Sequence, residues 1–266
     1  MPEGDTAWRT ARNLELALVG RRLVRSDIRV PAFAAVDLSG ERVEASFARG
    51  KHLLLRVGER WTVHSHLRME GAWHVYAHGE RWRRPAHQAR IVLDTEDRQA
   101  VGFELGVLEL LEREREAQAL DYLGPDILAP DWDADAALDR LLGDPGVPVF
   151  VALHDQRRLA GLGNEYVTEL CFVSGADPRT PVGVLGRERM IAMLTLARRM
   201  ITANRDRVER TFTGDTRPGR RTWVFGREGQ PCRRCGTAVQ RTMLGPDALH
   251  ERVACWCPRC QPMLAP

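Results

Sequence analysis

Lysine is almost missing from this chain. Of 39 basic residues, 38 are arginine, and Lys51 is the exception. A coding bias towards arginine accounts for the ratio. Arginine replaces lysine in surface solubility and most ion pairs, but not where a compact ammonium must approach one atom or yield a proton. Against that background Lys51 stands out as a functional candidate. Long hydrophobic runs are missing too: none approaches the roughly 18 apolar residues of a membrane span. The first apolar stretch is broken by Arg9, Arg12 and Glu15, which argues against a secretory leader. The expected location is therefore the cytoplasm, with no membrane partner. Cysteine is absent before position 171, and five of the six cysteines follow position 231. That crowding excludes a disulfide framework spread along the chain and suits metal binding in a reducing compartment. No internal repeat and no low-complexity segment occurs.

What is present is unevenly distributed. The 266 residues can bury a real core and are enough for two domains. The net charge is only +3, yet from Glu104 to Asp139 eleven acids face two arginines. From Thr216 to Pro266 nine arginines face three acids. A basic C-terminal module points to a polyanionic partner, most simply nucleic acid.

The spacing of Ala7, Ala11, Leu14 and Leu18 predicts a helix over 5–19, with Gly20 to end it. Short β-rich runs follow: "RRLVRSDIRV", "RVEASFA", "KHLLLRV", "RWTVHSH", "GAWHVY", "ARIVLD" and "GVLEL". Seven or eight strands at this spacing suggest a β-sandwich or barrel. An acidic stretch and "LGPDILAPDWD" resemble a connection between domains, and 133–205 reads as helices. The tail from Thr222 reads as a small cysteine-paired hairpin unit.

Three stretches carry chemistry. "CRRC" at 232–235 and "CPRC" at 257–260 place two thiolates on each of two knuckles, and four thiolates complete a tetrahedron around zinc. With Cys232, Cys235, Cys257 and Cys260 all protein ligands, no position is open to water, so the expected zinc is structural. Cys255 and Cys171 read as packed thiols. "DQRRLAGLGNEYVTEL", residues 155–170, runs a helix into a glycine turn, with Asn164 placed to cap the next helix. Such a turn offers backbone N–H groups to an anion, although a purely structural helix–turn–helix fits it equally. The opening "MPEG" has two readings. Either it is a turn before a helix capped by Asp5 or Thr6, or Pro2, freed of Met1, is a secondary amine with the Glu3 carboxylate beside it.

Taken in order, "MPEG", "RGKHLLL", "SHLRMEG", "LAGLGNEY" and the closing "CxxC…CPRCQ" span the whole chain. The chain resembles the formamidopyrimidine-DNA glycosylase/endonuclease VIII family of base-excision repair enzymes. The resemblance implies an α+β fold: an N-terminal catalytic β-sandwich with flanking helices (1–118), a helix–two-turn–helix DNA-binding domain (119–215) and a zinc finger (216–266). It implies a bifunctional DNA glycosylase and apurinic/apyrimidinic (AP) lyase acting on damaged DNA as a monomer, with one structural zinc and no nucleotide cofactor.

By the same resemblance, the Pro2 amine attacks C1′ of the damaged nucleotide and forms an iminium, and β- and then δ-elimination cut the strand. That requires an unprotonated amine; an α-amino group titrates near ~7.7–8.0, and the positive end of the following helix lowers it further. Glu3 shuttles protons at the sugar, and Lys51, matching a β-strand lysine, contacts phosphate and assists elimination. Arg252 grips phosphates flanking the lesion and is associated with δ-elimination; Gly163 and Asn164 contact the DNA backbone. Arg68 and Met69 fill the gap left by the extruded nucleotide.

The chain also departs from its relatives. Thr6 stands where many carry glutamate, Asp5 where many carry proline, and Tyr122 where some carry a DNA-touching arginine. "VGFELGVLEL" lacks the "DxRRFG"-like loop of the oxidised-purine branch. These departures favour the endonuclease VIII-like branch, with mainly oxidised pyrimidines as substrates. An oxidised-purine glycosylase, a zinc-ribbon DNA-binding protein without catalysis and an inactive damage-binding family member are the alternatives.

Overall fold

A computed structural model describes residues 2–264. The chain divides into two compact units, the first ending at Tyr122 and the second starting at Leu123. The segment 216–266, expected as a third domain, lies within the second unit. Among the described residues, no helix is long and apolar enough to cross a membrane.

The first unit opens with α1 (Gly4–Leu18) and continues through eight strands. These are β1 (Arg25–Ile28), β2 (Val43–Arg49), β3 (His52–Val57), β4 (Trp61–His66), β5 (Ala72–Ala77), β6 (Ala89–Asp94), β7 (Arg98–Phe103) and β8 (Val107–Glu112). One antiparallel sheet runs β1-β6-β7-β5 and the other β2-β3-β4-β8. Period-2 alternation turns Leu53, Leu55 and Val57 of β3 inward, where they meet Val63, Ile91, Leu93 and Ala100 from both sheets. The apolar stripe of α1, Ala7, Ala11, Leu14 and Leu18, joins the same core. The two sheets therefore form the expected β-sandwich.

Helix α1 starts earlier than its sequence suggests. Glu3, in extended backbone, is the N-cap, and its carbonyl accepts from the Ala7 N–H at 3.0 Å. Neither Asp5 nor Thr6 caps the helix. Asp5 sits inside the first turn, where a carboxylate is favoured by the helix dipole, and the helix extends beneath it.

The second unit follows the short α2 (Glu116–Ala119) of the first. It contains α3 (Ala134–Leu142), α4 (Val149–His154), α5 (Asn164–Val173) and α6 (Val182–Asn204), the last broken at Gly186. Their apolar faces share one core that includes Leu138, Phe150, Leu153, Tyr166, Leu170 and Leu194. A two-stranded hairpin, β9 (Gln240–Leu244) and β10 (Arg252–Trp256), closes the chain. It has its own small core of Phe172, Val224, Val239 and Cys255. Cys255 and Cys171 are buried, as expected of packed thiols, and burial pushes the Cys171 thiol up to about 12.

Candidate functional site

Pro2 is half-buried and Glu3 is only 1 % exposed. Met1, whose removal the sequence suggests, lies outside the described residues. Lys51 is not in a strand. Because Arg49 pairs directly with His52, Gly50 and Lys51 form a two-residue turn between β2 and β3. Gly50 takes φ +59°, as the first position of a type II′ turn demands.

The packing of α1 along β2 brings this turn towards Pro2. The Gly20 N–H donates to the Val43 carbonyl at 2.8 Å, and the Ser46 hydroxyl to the Ala11 carbonyl at 2.9 Å. Helix and strand therefore run in opposite directions. From Ala11 back to Glu3 is about 12 Å at ~1.5 Å per helical residue. From Ser46 on to Gly50 is about 13 Å at ~3.3 Å per strand residue. The helix N-terminus and the Lys51 turn thus reach the same end of the unit.

Arg68 and Met69 sit on the turn after β4. Arg68 has φ +54°, a left-handed conformation uncommon outside glycine, and Met69 is 62 % exposed. The turn is braced. The Gly71 N–H donates to the Leu67 carbonyl at 2.9 Å, and the Arg68 side chain lies over Gly106. Arg84 donates to the Glu70 carbonyl at 2.8 Å and pairs with Glu104 at 2.9 Å. The connection from β7 to β8 is only residues 104–106, too short to project a wedge of its own.

In the second unit, Gln156 braces the glycine turn. Its side chain donates to the Leu162 carbonyl at 2.9 Å and accepts from the Gly161 N–H at 3.0 Å. Gly163, not Asn164, is the N-cap of α5, since its carbonyl accepts from the Val167 N–H at 2.9 Å. Asn164 is the first helical residue, and its Oδ1 is buried without a hydrogen-bond partner. Its carboxamide is therefore not committed to capping.

The sulfurs of Cys232, Cys235, Cys257 and Cys260 lie within 4.8 Å of one another and could bind a metal ion. Cys235 and Cys257 are 3.4 Å apart, and Cys232 and Cys260 3.9 Å. A tetrahedron with metal–sulfur distances of ~2.3 Å has edges of about 3.8 Å, so the donor set fits zinc. Arg252 opens β10, opposite Leu244. Its guanidinium is exposed and bonds the Glu251 carbonyl at 2.9 Å.

The sequence reading overlooked a histidine cluster on the outer face of the β3–β4–β8 sheet. His52 faces His66 across β3–β4, and His64 faces Glu109 across β4–β8. His52 Nδ1 and His64 Nε2 are 2.9 Å apart, His64 Nδ1 lies 3.1 Å from Glu109 Oε2, and Tyr122 Oη lies 3.0 Å from His52 Nε2. Burial first, then electrostatic repulsion that protonation would raise against His66, His64, Arg68 and Lys51, holds His52 down to about 3. His66 is held to about 4 by burial and then Arg68, Lys51 and His64. The available signal was the "HSH" alternation, which puts His64 and His66 on one strand face.

A family model for the formamidopyrimidine-DNA glycosylase N-terminal domain matches residues 1–104. A probable endonuclease 8 2 of Streptomyces coelicolor is 52% identical over 267 residues, covering 100% of this chain and 96% of that protein. The chain belongs to the formamidopyrimidine-DNA glycosylase/endonuclease VIII family. A second family member, the DNA-(apurinic or apyrimidinic site) lyase Nei2 of Mycolicibacterium smegmatis, is 51% identical, with 98% of this chain and 99% of that one covered. Among solved structures, the Lactococcus lactis formamidopyrimidine-DNA glycosylase bound to DNA containing an AP site superposes with a TM-score of 0.81. It covers 98% of this chain and 99% of its own at 20% identity, a likeness of fold.

Proposed function

We propose that the chain is a bifunctional DNA glycosylase and AP lyase of base-excision repair, removing mainly oxidised pyrimidines. The observation that carries the reading is the antiparallel run of α1 along β2, which brings the Lys51 turn to the end of the unit where Pro2 and buried Glu3 lie. The two relatives near 50% identity are named endonuclease 8 2 and an AP-site lyase, which supports this branch. The three-residue β7–β8 connection supports it independently.

With Met1 removed, Pro2 presents a secondary amine. The nitrogen attacks C1′, and the C1′–base bond breaks with its electrons leaving on the base. Ring opening of the sugar gives an iminium that acidifies the adjacent C–H. Loss of that proton expels the 3′ phosphate, and a second elimination expels the 5′ phosphate. Glu3, fixed at the N-cap, moves protons at the sugar oxygen. Lys51 supplies a compact ammonium at the phosphate.

Arg68 and Met69 occupy the space of the extruded nucleotide, and Asn164 beside Gly163 and Arg252 bind phosphate. Cys232, Cys235, Cys257 and Cys260 hold one zinc ion. With four thiolates it has no open position, and its contribution is the fold of the hairpin that carries Arg252. The enzyme works as a monomer in the cytoplasm, without a nucleotide cofactor.

The test is incision of a duplex oligonucleotide carrying one oxidised pyrimidine, beside a duplex carrying an oxidised purine. The expected products have phosphates at both ends of a one-nucleotide gap, formed faster from the pyrimidine substrate. Binding without incision would favour the zinc-ribbon or inactive-binder alternatives, and faster cutting of the purine would favour the other branch.

A further inference from the structure

We propose that Glu109, His64, His52 and Tyr122 form a proton relay serving the Lys51 turn during strand elimination. The proposal rests on the reading of Pro2 and Lys51 above.

With neutral imidazoles, the chain of hydrogen bonds has one self-consistent direction. The Glu109 carboxylate can only accept, so His64 donates from Nδ1 at 3.1 Å. His64 Nε2 is then an acceptor and takes the Nδ1 proton bond of His52 at 2.9 Å. His52 Nε2 is in turn an acceptor and receives the Tyr122 hydroxyl at 3.0 Å. One exposed carboxylate thus fixes both tautomers along the chain. His66 Nδ1 carries no proton, since it accepts from the Arg68 N–H at 2.9 Å.

The environment agrees with that assignment. Around His52 are Arg49 on β2, Lys51 before it, His64 and His66 on β4, Arg68 in the turn beyond, and Tyr122, while Glu109 on β8 faces His64. The partial burial of His52 and the neighbouring cations hold the ring neutral well into acid. A structural filler at this position needs neither ring nitrogen bonded; here both are. One end of the chain is Tyr122, 46 % exposed, and the other is Glu109, whose side chain is 49 % exposed. The interior link, His64, is buried.

The proton balance closes without any co-reactant. Tyr122 takes a proton from the Lys51 ammonium and passes its own to His52 Nε2. His52 passes its Nδ1 proton to His64 Nε2, and His64 passes its Nδ1 proton to Glu109, which releases it to water. Lys51 is left as a neutral amine, able to accept the proton lost at the sugar. Once Lys51 has handed that proton to the departing phosphate, the reverse passage takes a proton from water at Glu109, restores the first tautomers and recharges Lys51. Because His52 resists charging, the proton crosses in one concerted hop, not by resting on an imidazolium.

The experiment uses the full chain and an oligonucleotide with a preformed abasic site, so that base removal is bypassed. Single-turnover strand cleavage is followed from about pH 5.5 to 9, with borohydride trapping in parallel. Glu109→Gln should trap like wild type and keep its melting temperature, yet cleave about tenfold more slowly with a flattened pH profile. Tyr122→Phe should behave alike. The double variant should be no slower than either single one, since both break a single chain at opposite ends. Wild-type cleavage and pH profile in Glu109→Gln, or losses that multiply in the double variant, would overturn the relay while leaving Pro2 in place. Failure of the wild-type protein itself to be trapped would instead overturn the Pro2 reading, and the relay with it.

Discussion

Lys51 and Arg252 each stand at the end of a β-hairpin, but the two hairpins are held by different physics. The β2–β3 hairpin has a two-residue turn and is backed by Leu53, Leu55 and Val57 in a core shared by two four-stranded sheets and α1. Burial of such side chains contributes ~1.5–3 kcal/mol each, without any ligand. The β9–β10 hairpin has two strands, a long loop at 245–251 and a few apolar neighbours. Two strands alone are marginal in water. Ala254 and Leu244 pack them on the helical core, and the cysteine cluster and a set of polar ties to α5 and the residues just after it add to that hold. Glu169 of α5 accepts the N–H groups of Trp223, Val224 and Phe225 at 2.8, 2.9 and 2.8 Å. Gln261 donates to the Ala176 carbonyl at 2.8 Å and accepts from the Cys257 N–H at 2.9 Å. The lesson is that one basic side chain is positioned by apolar burial alone, whereas the other depends also on buried hydrogen bonds and on four cysteines that could bind a metal ion.

The sharpest way to break that comparison is to remove a thiolate. Cys257→Ser should release the metal, unfold the hairpin and weaken DNA binding on the order of a hundredfold, because metal binding and folding are coupled in so small a unit. The sandwich should be untouched. Metal analysis and hydrogen exchange resolved by segment would check this, with protection lost over 231–261 and retained over β2–β4.

A smaller loss is expected at Glu169. Glu169→Ala strands three N–H groups, at ~1–3 kcal/mol each, so destabilisation of about 3 kcal/mol or more is expected. Glu169→Gln keeps one acceptor oxygen for Val224 and Phe225 and should cost less. Burial raises the Glu169 carboxyl to about 7 against the opposing pull of the three N–H groups. A folded-state value above the unfolded one means that the native protein holds this proton more tightly. The stabilisation is therefore full below about pH 4.5 and is lost as the pH rises through about 7. Urea denaturation of wild type and Glu169→Gln across that range should show the slope in the first and its loss in the second.

Lys51→Arg sharpens the comparison from the other side. Stability should stay within ~0.5 kcal/mol of wild type, because the residue is on a turn outside the core. Strand cleavage should nevertheless slow about tenfold, since a guanidinium neither fits an ammonium's place nor readily yields a proton. Arg252→Ala should have the smallest effect. The metal stays bound, affinity falls a few-fold, and the log–log salt slope flattens by about 0.9, the value for one phosphate contact. Titrations at several salt concentrations read it directly.

Much of this organisation was legible in the sequence where the signal is local. The cysteine knuckles show in their own spacing, and Lys51 shows through the arginine bias. The strand "RQAVGF" was not singled out, because Gly102 weakens its pattern. In the structure a Cβ at Gly102 would come within 2.6 Å of Leu105 Cδ1 and 2.8 Å of Ile91 Cγ2, so the glycine belongs to a tightly packed central strand. Helix starts were misplaced at Asp5 and Asn164 because each is a good cap sitting two residues and one residue, respectively, after the residue whose backbone actually turns. The His52–His64–Glu109 row depends on the register of three strands, which no local pattern specifies.

The central claim is that Pro2 is the nucleophile, and borohydride reduction during turnover tests it most directly. An amine nucleophile gives a stable protein–DNA adduct, and peptide mapping should place it on Pro2 in protein whose Met1 has been removed. Protein retaining Met1, or extended at its N-terminus, should give no adduct and no strand cleavage, because an acylated nitrogen cannot form an iminium. Normal cleavage by the extended protein, or an adduct mapped to Lys51, would contradict the account.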